Sequence, residues 1–271
     1  MDDVLTGTAA GVPWVARPPH GGARPDAPAV VAWHLLDSPR TEAAFAAAVP
    51  LDGLDAWRIY FGLPLSGSRL PAGGYPELQR LVMQDPVLNV NQPVAAGAIE
   101  EFPAALAEVR ERLGIASGPI GVMGGSMGGL AAQLAVAEGG ADVRAAVLIN
   151  PVVRLRDTID GLSVVYGTSY PWPPPAAAFA GRADFVARAA ELADAAILVI
   201  TGEKDFEDVI LRPVATYVTE LRRLGVTVDR QIIPGMGHAV ADEPGIEAAP
   251  QTPHAQAVDR LAATWFARYL T

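Results

Sequence analysis

The chain has 271 residues, 51% hydrophobic and 18% charged, which allows a sizeable core and excludes wholesale disorder. Its formal net charge is -10 and Lys204 is its sole lysine, so nucleic acid and anionic membrane partners are disfavoured. There is no cysteine, which removes disulfides, thiolate zinc sites and a cysteine nucleophile together.

Asp2 and Asp3 open the chain without a basic-plus-apolar leader, and no apolar stretch reaches the roughly 18 residues of a membrane span, so a cytoplasmic protein is expected. Residues 4–18 read as one or two short strands, broken by Gly7, Gly11 and Pro13. A Pro/Gly loop follows, then the apolar strand Ala29 to Trp33 and a helix from Thr41 to Val49. Trp57 to Phe61 is strand-like in its aromatic and β-branched content, and residues 62–92 read as irregular. A helical period runs from Val94 to Leu113, with an interruption or restart expected at Pro103. Ile120 to Met123 reads as a strand, Met127 to Ala137 as a helix and Val143 to Asn150 as a strand. Residues 151–180 again read as irregular, Ala183 to Leu192 as a helix and Ala196 to Thr201 as a buried strand. Val209 to Leu224 reads as a helix ended by Gly225, Val226 to Ile233 as a strand and Thr252 to Leu270 as an amphipathic helix.

Strands alternating with helices predict an α/β fold: a mostly parallel, doubly wound sheet covered on both faces. One domain over residues 1–271 is expected. Segments 62–92 and 151–180 are too long for ordinary connections, and both follow strands, so they read as a small cap above the carboxyl ends of the sheet. Tolerated surface insertions are the alternative.

The most informative stretch is Gly121-Val122-Met123-Gly124-Gly125-Ser126-Met127-Gly128-Gly129. It contains Gly-x-Ser-x-Gly after an apolar run and before an alanine-rich helix, the context of a nucleophile elbow. Bulk at 124 or 128 would collide with the neighbouring strand and helix, and the turn aims helix amides at the Ser126 hydroxyl. The same glycines do not form Gly-x-Gly-x-x-Gly, so a dinucleotide site is disfavoured.

A serine hydroxyl needs a base, and the base needs an orienting acid. Of the four histidines, His20, His34, His238 and His254, His238 sits in a glycine loop after the last strand and is the expected base. His34 reads as a buried or loop-anchoring residue, and His254 as a surface residue. The acid should follow the strand between serine and histidine; Asp205 in Gly202-Glu203-Lys204-Asp205 is expected, with Glu203, Glu207 and Asp208 behind it. The oxyanion hole should take the N–H of Met127 and one from the loop after Ala29–Trp33, at Leu36 or alternatively Leu35. His20-Gly21-Gly22 precedes that strand and so lies at the wrong end of the sheet.

With the order Ser126, Asp205, His238, the chain resembles the α/β-hydrolase superfamily from about residue 4 to 270. Its elbow and acid loop are most similar to the esterase, dienelactone-hydrolase-like and prolyl-oligopeptidase-like branch. The pair His34-Leu35 departs from the usual His-Gly. The resemblance implies a serine hydrolase that cleaves small-molecule carboxylic esters through an acyl-enzyme, with no metal or organic cofactor. Leu35, Tyr166, Tyr170 and Trp172 are the expected substrate contacts, favouring neutral, apolar acyl groups, although such side chains could equally pack the cap onto the body. Acyltransfer, thioester hydrolysis, small-peptide cleavage and a non-catalytic binding protein of this fold are the alternatives.

Overall fold

A computed structural model describes residues 4–270. Eight strands form one sheet in the order β1-β2-β4-β3-β5-β6-β7-β8. The first two, β1 (Leu5–Ala9) and β2 (Val12–Arg17), make an antiparallel hairpin, and β2 also runs antiparallel to β4 (Trp57–Phe61). The other pairings are parallel: β4 to β3 (Ala29–Trp33), then β5 (Ile120–Gly125), β6 (Val143–Ile149), β7 (Ala196–Gly202) and β8 (Val228–Ile233). β3, β4, β5 and β7 are buried along their whole length, as expected of strands covered on both faces.

The chain leaves β3 for β4 on one side and then crosses to β5 on the other. Because parallel crossovers are right-handed, this reversal sends helices to opposite faces. One face carries α1 (Glu42–Ala48) and α8 (Pro253–Tyr269), whose Phe45, Val258 and Phe266 share a buried cluster. The other carries α3 (Gln92–Leu113), α4 (Met127–Glu138) and α7 (Arg212–Arg223). The carboxyl ends of β3 and β5 flank the reversal, where open α/β sheets form their ligand crevice. Thr41 and Thr252 cap α1 and α8 by accepting the N–H groups of Ala44 and Ala255.

The long segments are more ordered than their composition predicts. Residues 62–92 contain α2 (Gly74–Gln84), whose Leu78 and Leu81 lean on the core while no residue of the helix is fully buried. Residues 151–180 contain α5 (Leu155–Val165) and the start of α6 (Pro174–Arg182). The proline run 173–175 starts α6 instead of preventing helix, because a proline at the first helical positions sacrifices no intrahelical bond. The helix expected over Ala183 to Leu192 is displaced upstream. There the Asp184 carboxylate accepts the N–H groups of Val186 and Ala187 and pairs with Arg154, holding a turn that ends in one 3-10 stretch, Ala189–Leu192. The interruption expected at Pro103 is also absent: α3 runs through it, with the ring on the exposed face. The two segments touch, since α6 packs against the 87–91 turn and the Tyr170 hydroxyl donates to Asp85 at 2.7 Å. Among the described residues, no helix is long and apolar enough to cross a membrane.

Candidate active site

β5 ends at Gly125 and α4 begins at Met127, leaving Ser126 alone in the turn with φ 50° and ψ -115°. A non-glycine residue reaches such a conformation only under strong constraint, here a strand and a helix joined without slack. A Cβ on Gly124 would lie 2.0 Å from the Gly128 carbonyl oxygen, and one on Gly128 would lie 2.3 Å from the carbonyl oxygens of Trp33 and His34. Both glycines are therefore required by close backbone approach, as the motif predicts.

Asp205 follows β7 in a turn, and its side chain is fully buried. Gly202 lets the chain before Asp205 pass under the 235–238 loop: a Cβ there would meet the Met236 and Gly237 carbonyl oxygens at 2.4 and 2.5 Å. His238 lies beyond β8, and its Nδ1 is 3.0 Å from each oxygen of Asp205. Its Nε2 is 2.9 Å from Ser126 Oγ. A carboxylate can only accept, so Nδ1 carries a proton, and in the neutral imidazole Nε2 then presents its lone pair to the serine hydroxyl. Three side chains distant in sequence thus form one hydrogen-bonded array at the carboxyl rim of the sheet.

The remaining candidates separate by position. Leu36 is half-buried after β3. Leu35 is fully buried beneath the elbow, where a Cβ on Gly125 would meet its Cδ1 at 2.3 Å; this side chain supports the turn and is closed to a substrate, contrary to expectation. Tyr166 projects into solvent at the end of α5. Trp172 donates to Asp160, stacks edge-on against Tyr170 and lies under the Arg156 guanidinium, so both aromatic rings serve contacts within the long segments. Burial, with the Asp85 bond adding to it, raises the Tyr170 pKa and keeps the hydroxyl protonated. Glu203 is engaged with the Gly235 N–H, and Asp208 pairs with Arg212.

His34 is fully buried, and burial lowers its pKa to about 4. The Leu63 N–H donates to its Nε2 at 3.1 Å, so Nδ1 is protonated and donates to the Leu35 carbonyl at 2.6 Å. In a trans peptide the C=O and the following N–H point in opposite directions. The bond from His34 therefore turns the Leu36 N–H away from the imidazole. Met127 is the first residue of α4, so its N–H has no intrahelical acceptor.

Two residues near the array escaped the sequence reading. Phe206, 48% exposed, follows Asp205; its ring centroid is 6.2 Å from that of His238, and its N–H donates to the Asp205 carboxylate. Asn150 directly follows β6 and is fully buried. The signal for each lay in its place directly after a strand-end motif. A large cavity, about 580 Å³ and lined by Phe102, Arg110, Ile115 and Gly139, lies where the chain enters β5 and β6, on the rim opposite the array.

Residues 90–270 match the model of the prolyl oligopeptidase family. The chain belongs to that family. It is a hydrolase of the serine α/β-hydrolase type, and its eight-stranded sheet carries the array at one rim. Solved structures similar to this chain include TT1662 from Thermus thermophilus, at 19% identity and a TM-score of 0.68, covering 100% of this chain and 98% of that one. A puromycin-hydrolyzing peptidase from Mycobacterium tuberculosis aligns at 17% identity and a TM-score of 0.65, over 99% of this chain but 40% of its own. A dienelactone hydrolase from Anabaena variabilis aligns at 19% identity and a TM-score of 0.56, over 99% and 98%. At these identities the likeness is one of fold. No curated protein matches the sequence.

Proposed function

We propose that the chain hydrolyses small carboxylic esters through an acyl-enzyme on Ser126. The observation that carries this reading is the continuous array from Asp205 through His238 to the Ser126 hydroxyl, with spacings of 3.0 and 2.9 Å. Ser126 Oγ attacks the ester carbonyl and its proton passes to His238 Nε2. The oxyanion that forms accepts from the Met127 and Leu36 N–H groups, the latter aimed by the His34 bond to the adjoining carbonyl. Collapse of the tetrahedral species expels the alkoxide, which takes the proton from His238. Water then attacks the acyl carbon, gives its proton to the same nitrogen, and the acid departs as Ser126 recovers its hydrogen. Asp205 stays ionised and holds the imidazole in the tautomer these steps need.

The long segments act as a cap in this reading, within one domain. Their exposed Met83, Val164, Val165 and Tyr166 give the cap an apolar surface suited to neutral substrates. Phe206, beside His238, is within reach of the group that leaves with the proton of that residue. The test is labelling by a fluorophosphonate probe together with hydrolysis of p-nitrophenyl acetate. Both are expected in the wild type and absent in Ser126→Ala; full activity in that variant would sink the proposal.

Membership in the prolyl oligopeptidase family favours a second reading, cleavage of short peptide amides by the same array. Paired esters and arylamides of one acyl group separate the two: the ester reading expects turnover of the ester alone.

A further inference from the structure

We infer that Asn150 is a positioning residue, which sets the placement of the His238 imidazole against Asp205 and Ser126. The inference rests on the proposed roles of those three residues. Asn150 stands at the end of β6 with φ 43°, a left-handed conformation that asparagine tolerates better than most residues. Its side chain meets the base loop and the acid strand at once. Nδ2 donates to the carbonyl of Gly237 at 3.0 Å and to that of His238 itself at 2.8 Å. Oδ1 accepts the Gly202 N–H at 2.8 Å, and the Gly202 carbonyl in turn accepts the N–H of Asp205.

The main chain around Asn150 holds the nucleophile. The Ser126 N–H donates to the Ile149 carbonyl at 2.9 Å, and the Val152 N–H donates to the Ser126 carbonyl at 3.2 Å. Asn150 also donates its own N–H to Ile200 in β7. Three residues, Ile149 at the end of β6 and Asn150 and Val152 just past it, thus register the serine turn, the acid turn and the histidine loop against a common frame. Only an amide supplies one acceptor and two donors in this volume; a carboxylate would face two carbonyl oxygens with no proton to offer. Proton transfer is sensitive to displacements of about 1 Å, which can cost on the order of a hundredfold in rate.

Asn150→Asp tests this, because it keeps the volume and the acceptor for Gly202 while removing both donors. Asn150→Ser, which keeps one donor, serves if the aspartate variant does not fold. With p-nitrophenyl acetate, kcat is expected to fall by roughly 30- to 100-fold in folded Asn150→Asp, with KM within about twofold and a parallel drop in fluorophosphonate labelling rate. In a His238→Ala background there is no imidazole left to align, so the same substitution should leave the residual rate unchanged. Unaltered kcat in a folded variant overturns the inference. So does an equal loss in both backgrounds, which would make Asn150 a general structural support. Wild-type protein that neither labels nor turns over ester defeats the hydrolase reading itself, an outcome distinct from either.

Discussion

The rim that carries Ser126, Asp205 and His238 and the two long segments beside it are held together in different ways. At the rim, backbone meets backbone: Gly124, Gly128 and Gly202 allow approaches no Cβ could survive, and Asn150 bonds three chain segments. In the segments, side chains do most of the joining. α2 buries no residue completely, and the Tyr170 hydroxyl reaches across to Asp85. A site fixed by main-chain contacts has little freedom to drift, whereas a surface fixed by separate side-chain bonds can change shape or selectivity one residue at a time.

The contrast sets an order of expected effects. Largest is loss of the array. Ser126→Ala should lower kcat by roughly a millionfold and Asp205→Asn by roughly ten-thousandfold, read by burst-free steady-state kinetics on an activated ester. Comparable rates in Asp205→Asn and wild type would show that the acid is another carboxylate. Next comes Gly128→Ala, whose methyl would lie 2.3 Å from two β3-side carbonyl oxygens. It should destabilise the protein by about 2–3 kcal/mol in denaturant unfolding, and a neutral result would mean the rim is looser than its contacts imply.

Two buried groups make the rim and the body behave oppositely in acid. His34 has its pKa lowered from 6.5 to about 4, so the unfolded chain binds its proton first and stability is lost as pH falls through that window. Asp259, raised by burial to about 6, binds its proton more tightly when folded, so its contribution to stability grows as pH falls from 6 towards 4. Asp259 accepts the Leu51 N–H, a bond that asparagine can keep. Asp259→Asn should therefore expose the His34 slope, giving a steeper loss of stability between pH 6 and 4 than in wild type, by on the order of 2 kcal/mol. Parallel pH profiles of the two proteins would refute the assignment to Asp259.

Smaller effects belong to the surface. Tyr170→Phe removes a bond to a carboxylate and should cost about 1–2 kcal/mol in stability with little change in kcat; a large kcat effect would bring this residue into the site. Phe206→Ala should reduce kcat/KM for an aromatic-alcohol ester by roughly fivefold while sparing the methyl ester of the same acid, since a lost aromatic contact is worth about 1 kcal/mol. Equal losses on both esters would separate Phe206 from the leaving group.

The parallel core and the array were legible in the chain because their requirements are local. An elbow needs glycine two residues either side of its serine, and both positions are visible without coordinates. The strand β3 lies where a continuous apolar run ends, and β4 where aromatic and β-branched residues cluster before Gly62. Asp205 and His238 follow strand ends for the same reason. α2 and α6 were hidden because glycine and proline near their starts read as breakers, although proline opens a helix as readily as it ends one. The tautomer of His34 depends on the Leu63 N–H, and the bonds of Asn150 reach carbonyls some 87 residues away. Sequence order determined which groups could reach the carboxyl rim, since strand ends and tight turns are written in neighbouring residues. Only the folded sheet decided which side chains are sealed, as Leu35 is, and which tie distant turns together, as Asn150 does, because burial and long-range hydrogen bonds are properties of partners that the chain brings together in space.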